Sequence, residues 1–471
     1  MRIDDYKQGN LEKVVEAGEK AKASQERLNA VVSFCDIEEQ IKDYKHTQSD
    51  LLFQTPVALK DNINTKGTRT TASSRILDNY IPVYNATIVD KLKAAGAVFV
   101  AKTSMDELGM GGTNLNAYTG KVNNPWDLQR ISGGSSGGSA ALVAEGVVPL
   151  AIGSDTGDSV RKPAAYCGVV GLKPTYGRIS RYGIIPYASS LDHVGLFTTT
   201  IKDAATALEV LAGRDDNDMT TSYKPVEKYS SLLNSDLQGK RIGVIKNVMD
   251  AIEDKTIQET FKQLLDKLES RGAIIEDVVF DTDLMNALLP TYYVISNAEA
   301  TANHSNLDGI RFGVREDGDD LTSIMINSRT KGFSSEVRKR FVIGSYSLFT
   351  ENQDKIFRKA QKVRRRIVDA LKEKLASYDV LLASAAGSIA PYPDESYGEK
   401  LSATYLVAEN HMLLGNFSGY PSITVPNAIV DGMPVAVNLL AKPFEETLML
   451  SIAKAIEEEC GLEGYCREVS E

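Results

Sequence analysis

The sequence predicts an α/β fold in one large domain, on three observations. From Leu51 onward, short apolar runs alternate with helical segments, the rhythm of strands and covering helices. The 471 residues, 42% hydrophobic and 25% charged, are ordinary globular material, enough for one large core or two to three domains. No internal repeat, low-complexity tract or Pro/Ser-rich linker marks a place to cut the chain.

In chain order, "LEKVVEAGEKAKASQERLNAVVSF" and its flanks place apolar residues at mixed three and four spacing among charges, which predicts amphipathic helices without chemistry of their own. "TPVALK", "GAVFVAK" and "VVPLAIGS" predict buried strands, with "NATIVDKLKAAG" as a helix among them. Strand-like runs resume at "RIGVIKN" (241–247), "DVLLAS" (379–384), "PSITVPNAI" (421–429) and "PVAVNLLAKP" (434–443). The basic stretch "RKRF…KIFRKAQKVRRRIVDALKEK" (338–374) reads as an amphipathic helix with a solvated cationic face, since aromatic residues that would stack on bases are sparse there.

The polar opening "MRIDDYKQGN", without an Arg-rich leader or any apolar run approaching 18 residues, predicts a soluble, cytoplasmic protein with no membrane association. An organellar matrix is the alternative if a leader has been removed. Cys35, Cys167, Cys460 and Cys466 lack CxxC spacing, so neither a disulfide framework nor a zinc site is expected, and no metal is assigned. A net charge of -10 argues against nucleic-acid binding by the surface as a whole.

The chemistry centres on "GSDTGDSVRKP", where Ser159 follows an apolar run. A serine hydroxyl is a weak nucleophile until a base takes its proton. The four histidines are His46, His193, His304 and His411. His193 is the nearest candidate base, although a polar residue at a sheet end is its simpler reading. A lysine serves instead if desolvation lowers its pKa toward neutrality. Lys60 ends the apolar run "TPVALK", where burial would do so, and Ser135 in "GGSSGGS" could pass the proton along. The competing reading is that these glycines and serines only make tight turns. "GGSSGGS" lacks the Lys-Ser/Thr ending of a phosphate loop, its G-x-S-x-G lacks the preceding strand of a nucleophile elbow, and "DTG" (155–157) occurs without the second copy an aspartic protease needs.

At these residues, and across "TPVALKDNINTKGTRTTASS", "NNPWDLQRISGGSSGGSAALVAEG", "GSDTGDSVRKPAAYCGVVGLKPTYGRISRYG", "EATANHSNLDGIRFG" and "SGYPSITVP", the chain resembles the amidase signature family. "NNPWD", "PTYGRISRYG" and "DGIRFG" lean to its tRNA-linked branch, the A subunits of aspartyl/glutamyl-tRNA amidotransferases. The resemblance implies a large mixed β-sheet covered by helices on both faces. The single domain, 1–471, would then comprise an N-terminal helical layer (1–50), a signature core (51–200) and the remaining sheet and pocket elements (201–471). It further implies Ser159 as the acyl-forming nucleophile, Ser135 as a cis-bonded bridging serine and Lys60 as base. The backbone N–H groups of Thr156, Gly157 and Asp158 would form the oxyanion hole. Arg340 would bind the α-carboxylate of glutamine, with Tyr293 lining the pocket and Glu409 falling near the reader of the amino group. By the same resemblance the activity is that of a carbon–nitrogen ligase with glutamine as nitrogen donor, working with B and C subunits. The B subunit would use ATP and Mg2+, hold most of the misacylated tRNA, and amidate Glu-tRNA(Gln) or Asp-tRNA(Asn); this chain would need no cofactor.

Two positions depart from the family pattern. Asp158 stands where the family usually has glycine, and Glu409 where an aspartate is expected. A carboxylate about 4 Å from Lys60 would favour the ammonium by up to about 4 kcal/mol at an effective dielectric near 20, undoing the effect of burial. An active enzyme therefore requires the Asp158 side chain to turn away from Lys60 and from the oxyanion. A stand-alone small-amide amidase, or a scaffold protein silenced by Asp158, are the alternatives.

Overall fold

The computed structural model describes residues 1–7, 11–42, 44–394 and 403–467. Eleven strands among them form one mixed sheet: β1 (Val31–Phe34), β2 (Pro56–Lys60), β3 (Val98–Thr103), β4 (Leu150–Asp155), β5 (Val170–Lys173), β6 (His193–Thr198), β7 (Arg241–Ile245), β8 (Ile274–Val278), β9 (Val380–Ser384), β10 (Ser422–Val430) and β11 (Met433–Ala441). Their order across the sheet is β1-β3-β2-β4-β6-β5-β10-β11-β9-β7-β8. β2 runs parallel to both β3 and β4, and β7 parallel to β8 and β9, while the centre is antiparallel.

The alternation of side chains along each strand divides the core into two layers. Val57 and Leu59 of β2, Phe99 of β3, and Leu150 and Ile152 of β4 face one layer, under the helices Thr87–Ala94, Ile201–Leu211 and Glu446–Cys460. Ala58, Val100 and Ala151 face the other, with the helices Leu11–Leu28 and Gly137–Ala144. Beyond them, Leu381 and Ala383 of β9 join a second cluster containing the long helices Leu288–Asn303 and Phe357–Leu375. Both faces are thus covered, as expected for a sheet with parallel segments.

Small residues on the Ala58 face have a purpose. A Cβ on Gly138 would come within 2.5 Å of the Ala30 carbonyl and 2.6 Å of the Ser104 carbonyl, so only glycine lets this helix start lie against the sheet. Lys60 has the same parity as Ala58, and Asp155 the same parity as Ala151. The C-terminal ends of adjacent parallel strands therefore present a lysine and an aspartate beside the glycine-rich loop.

The N-terminal layer departs from the helical expectation at one point. Asn29, with φ +51, stops the first long helix, and "VVSF" pairs antiparallel with β3 as the edge strand β1. The β-branched pair Val31–Val32 fits a pleated edge better than another helical turn. The basic stretch forms two long helices, Ser335–Leu348 and Phe357–Leu375, with the single turn Thr350–Gln353 between them. Among the described residues no helix is long and apolar enough to cross a membrane.

Candidate active site

Lys60 closes β2 with its side chain wholly buried. Its Nζ lies 2.8 Å from Ser135 Oγ, 2.7 Å from Ser136 Oγ and 3.2 Å from the Ser154 carbonyl. Ser136 Oγ donates its own proton to that carbonyl at 3.1 Å, so toward the lysine it acts as an acceptor. Two Lys60 N–H bonds thus have acceptors in Ser136 Oγ and Ser154 O, and a neutral amine's lone pair is left for the Ser135 hydroxyl. Burial brings Lys60 down to about 7, against the opposing pull of the Asp106, Asp155 and Asp192 charges.

Ser135 sits in a loop whose Gly134–Ser135 peptide is cis. Asp106 fixes that loop. Its backbone N–H donates to Ser135 O at 3.2 Å, and its Oδ2 accepts from Asn114 N at 3.0 Å. A Cβ on Gly134 would strike the same Oδ2 at 2.0 Å, so the loop runs directly over this carboxylate. The glycine-rich segment has no strand before it and continues into the helix Gly137–Ala144, which agrees with rejecting a nucleophile elbow.

Ser159 occupies the turn between β4 and the helix Arg161–Cys167 and is 3% exposed. Asp155 shapes the turn: Oδ2 accepts from Val160 N at 3.0 Å and Arg161 Nε at 3.1 Å, and Oδ1 from Arg161 Nη2 at 3.0 Å and Asn416 Nδ2 at 2.9 Å. Arg161 also donates to the Gly157 carbonyl at 2.8 Å. Burial pushes the Asp155 carboxyl up, but the Arg161 charge and hydrogen bonds more than reverse this and hold it well below the usual carboxylate range. The backbone N–H groups of Thr156, Gly157, Asp158 and Ser159 find no acceptor among the described residues, the condition an oxyanion hole requires. Gly153 joins the two loops, since a Cβ there would lie 2.9 Å from Ser136 Oγ and 3.1 Å from Val160 Cγ2.

A cavity of about 310 Å³ adjoins this turn, lined by Ser154 and Thr156 together with Asn62, Gly109, Tyr187 and Asp192. Arg340, on the helix Ser335–Leu348, donates to Tyr187 Oη at 3.1 Å, and its guanidinium lies 5.5 Å from the Tyr293 ring centre. The capping residue of that helix, Ser334, donates its backbone N–H to Glu107 at 3.1 Å, tying the arginine's helix to the neighbour of Asp106. Arg340 and Lys60 are the two cations acting on Asp106. Tyr293 is 40% exposed. Tyr292 is the one set against the nucleophile turn, where a Cβ on Gly157 would meet its ring at 3.1 Å.

Glu409 is held by three partners. Its Oε2 accepts from Lys162 Nζ at 2.7 Å and Tyr166 Oη at 3.4 Å, and its Oε1 from Gly387 N at 2.7 Å. Asp158 makes no bond to Lys60 and is absent from the charges that act on it. His193 begins β6 with Nδ1 2.7 Å from the Leu191 carbonyl; burial first, then the Lys173 charge, keep it neutral. Sequence reasoning missed Ser136, Asp106, Asp155, Arg161, Lys162 and Tyr292. Gly134 and Gly111 were the available signal for Asp106, because a Cβ at either would meet its carboxylate, at 2.0 Å and 2.2 Å. No group of His, Cys, Asp or Glu that could hold a metal ion occurs among the described residues.

The family model described as Amidase matches residues 12–450. The chain is 40% identical over 439 residues to the A subunit of glutamyl-tRNA(Gln) amidotransferase from Lactobacillus acidophilus, covering 93% of this chain and 90% of that protein. The crystal structure of the glutamyl-tRNA(Gln) amidotransferase A subunit from Thermotoga maritima superposes with a TM-score of 0.82 at 35% identity, over 100% of this chain and 98% of that one. The native peptide amidase from Stenotrophomonas maltophilia shares the fold at a TM-score of 0.79 and 26% identity, over 95% and 93% of the two chains.

Proposed function

This chain belongs to the amidase family, and from that premise we propose that it is the glutamine-hydrolysing A subunit of a tRNA-dependent amidotransferase, supplying ammonia for the conversion of Glu-tRNA(Gln) to Gln-tRNA(Gln). Likenesses in sequence and in solved structure both support the A-subunit reading. The observation that carries the chemistry is the hydrogen-bond pattern at Lys60, which leaves a neutral lysine one open direction, toward Ser135 Oγ.

In this mechanism Lys60 Nζ takes the Ser135 proton while Ser135 Oγ takes the proton of Ser159. Ser159 Oγ bonds to the side-chain amide carbon of glutamine, and the free N–H groups of Thr156, Gly157 and Asp158 receive the oxyanion. Collapse breaks the carbon–nitrogen bond, and the proton held by Lys60 returns through Ser135 to the departing nitrogen, releasing ammonia. Water then attacks the glutamyl ester, gives its proton to the same relay, and frees glutamate and Ser159. Arg340, with Tyr293 beside it, supplies the positive charge for the substrate α-carboxylate. B and C subunits complete the enzyme, and the B subunit uses ATP and Mg2+ to activate the tRNA-borne carboxylate in the cytoplasm.

The test is reconstitution with B and C subunits, glutamine, ATP, Mg2+ and Glu-tRNA(Gln), measuring glutamate and Gln-tRNA(Gln). Both products are expected from the intact complex. Ser159→Ala should lose glutamate formation yet still amidate tRNA when ammonium chloride replaces glutamine. An intact complex that forms no glutamate from glutamine would make this chain a silent scaffold.

A further inference from the structure

The antiparallel ladder between β4 and β6 pairs Ser154 with Val194 and Asp155 with His193. One step further along that register stand Thr156, in the oxyanion turn, and Asp192, the residue before β6. There a side-chain bond continues what the ladder began: Thr156 Oγ1 donates to Asp192 Oδ1 at 2.7 Å.

The other bonds of this aspartate run into its own loop. Oδ1 accepts a second time, from Ala188 N at 3.1 Å, Oδ2 accepts from Tyr187 N at 2.8 Å, and Asp192 N donates to the Ala188 carbonyl at 2.8 Å. Tyr187 is thereby fixed at its backbone, with Asn303 Nδ2 on its carbonyl at 3.1 Å, and its phenol oxygen receives Arg340 Nη1 at 3.1 Å. Thr156, Tyr187 and Asp192 are all buried and line the same cavity of about 310 Å³. Three donors from two walls of that cavity thus meet on one carboxylate, which has the lone pairs to accept them all. Asp192 does not serve the base, because its charge favours the ammonium form of Lys60. Its contacts instead fix where two other groups stand. A well-placed oxyanion donor is worth about 10²–10³ in rate, and a shift of about 1 Å in a reacting geometry costs about 10²-fold.

We propose that Asp192 is a positioning residue that joins the oxyanion turn to the substrate-binding arginine: through Thr156 it sets the turn's N–H groups, and through Tyr187 it sets Arg340. The arginine arm rests on the glutaminase reading above, whereas the oxyanion arm holds for any amide.

The test reads kcat and KM separately in the reconstituted complex, for L-glutamine and for butanamide, which has no carboxylate. Thr156→Val, which keeps the shape of the side chain and removes its hydroxyl, should lower kcat at least tenfold and leave KM for glutamine within about twofold. Tyr187→Phe should raise KM for glutamine several-fold with little loss of kcat. Asp192→Ala should do both, and adding it to Thr156→Val should lower kcat no further, since the two act through one bond. Asp192→Asn keeps an acceptor for Thr156 but turns its amide N–H toward Tyr187 N, so it should restore kcat to within about threefold of wild type while KM for glutamine stays high. A purely structural role predicts less assembled complex with kcat per complex and KM unchanged; that result, or independent losses in the Thr156→Val/Asp192→Ala pair, would overturn the proposal. If Asp192→Ala does not assemble, Asp192→Asn decides: a wild-type KM for glutamine, or a kcat as low as that of Thr156→Val, sinks it. If the wild-type complex hydrolyses butanamide but not glutamine, the glutaminase reading and the arginine arm fail together, and the oxyanion arm stands or falls on kcat for butanamide in Thr156→Val and Asp192→Ala. Hydrolysis of neither amide would remove both the reading and the positioning role.

Discussion

Lys60 Nζ stands 2.8 Å from Ser135 Oγ at the end of a strand with no exposed side chain. A lysine in that position works as a base only when uncharged. Because burial brings it to about 7, kcat for glutamine should rise tenfold per pH unit up to about pH 7 and level off above it. Lys60→Ala, Ser135→Ala and Ser159→Ala should each abolish hydrolysis in the folded protein. Members of one proton relay are non-additive, so double variants should fall little below the worst single one. Rate–pH profiles and steady-state kinetics of these variants check both statements; near-normal turnover by Lys60→Ala would remove the lysine from the mechanism.

Lys60 and Asp158 make opposing demands on stability. Lys60 has a folded pKa depressed from 10.5 to about 7, so the unfolded chain binds the extra proton between these values and stability rises with pH across that window. Asp158 has a folded pKa raised from 3.8 to about 7, so the folded state holds the extra proton there and stability falls as pH rises from about 4 to 7. Near neutrality both contributions are unfavourable. Denaturant unfolding should find Lys60→Met more stable than wild type at pH 7, by an amount on the order of 2–4 kcal/mol, with the gain fading toward pH 10. Asp158→Asn should gain a smaller amount at pH 8 and nothing at pH 4.

Asp155 and Arg161 carry the opposite expectation. They are fully buried, doubly bonded to each other, and further tied to Asn416 and the Gly157 carbonyl. Removing one partner strands a buried charge, which costs about 3–5 kcal/mol. Asp155→Ala should show that loss in unfolding experiments. It should also depress kcat more than it raises KM, because the turn presenting Ser159 loses the side chain that closes it.

Much of this arrangement was legible in the sequence, and the exceptions have physical causes. The buried runs ending in Lys60, Thr103, Asp155, Ser384 and Ala441 all proved to be strands, since unbroken apolar stretches flanked by turns have few other fates. β6 escaped notice because Gly195 interrupts "HVGLFT"; a Cβ there would strike the Leu172 carbonyl at 2.6 Å, so the neighbouring strand needs the glycine. β8 escaped because "IIEDV" lies at the sheet edge, mostly exposed, and carries charges instead of an apolar face. Lys60 was visible as a lysine closing an apolar run. Ser136 and Asp106 were not, because their roles arise only where loops far apart in the chain converge over Gly134 and Gly153.

The last expectation concerns the partners. A glutaminase that hydrolysed glutamine without regard to demand would release ammonia uselessly, so its activity should depend on the synthetase-like half. Such dependence requires that the partner bind a competent state of this chain better than an incompetent one. Val342, Ile343, Tyr346 and Phe349 are exposed on and just after the helix that carries Arg340, so a partner seated there would act on the helix of the arginine proposed to hold the substrate α-carboxylate. The isolated chain should therefore be a weak glutaminase, and B and C subunits with ATP and misacylated tRNA should raise its rate at least about tenfold, equivalent to about 1.4 kcal/mol of coupling. With a net charge of -10, the chain alone should bind tRNA poorly even at low salt. Val342→Asp with Tyr346→Ser should blunt the activation without lowering the basal rate. Full activity of the isolated chain on glutamine and on simple amides, unchanged by partners, would make it a stand-alone amidase.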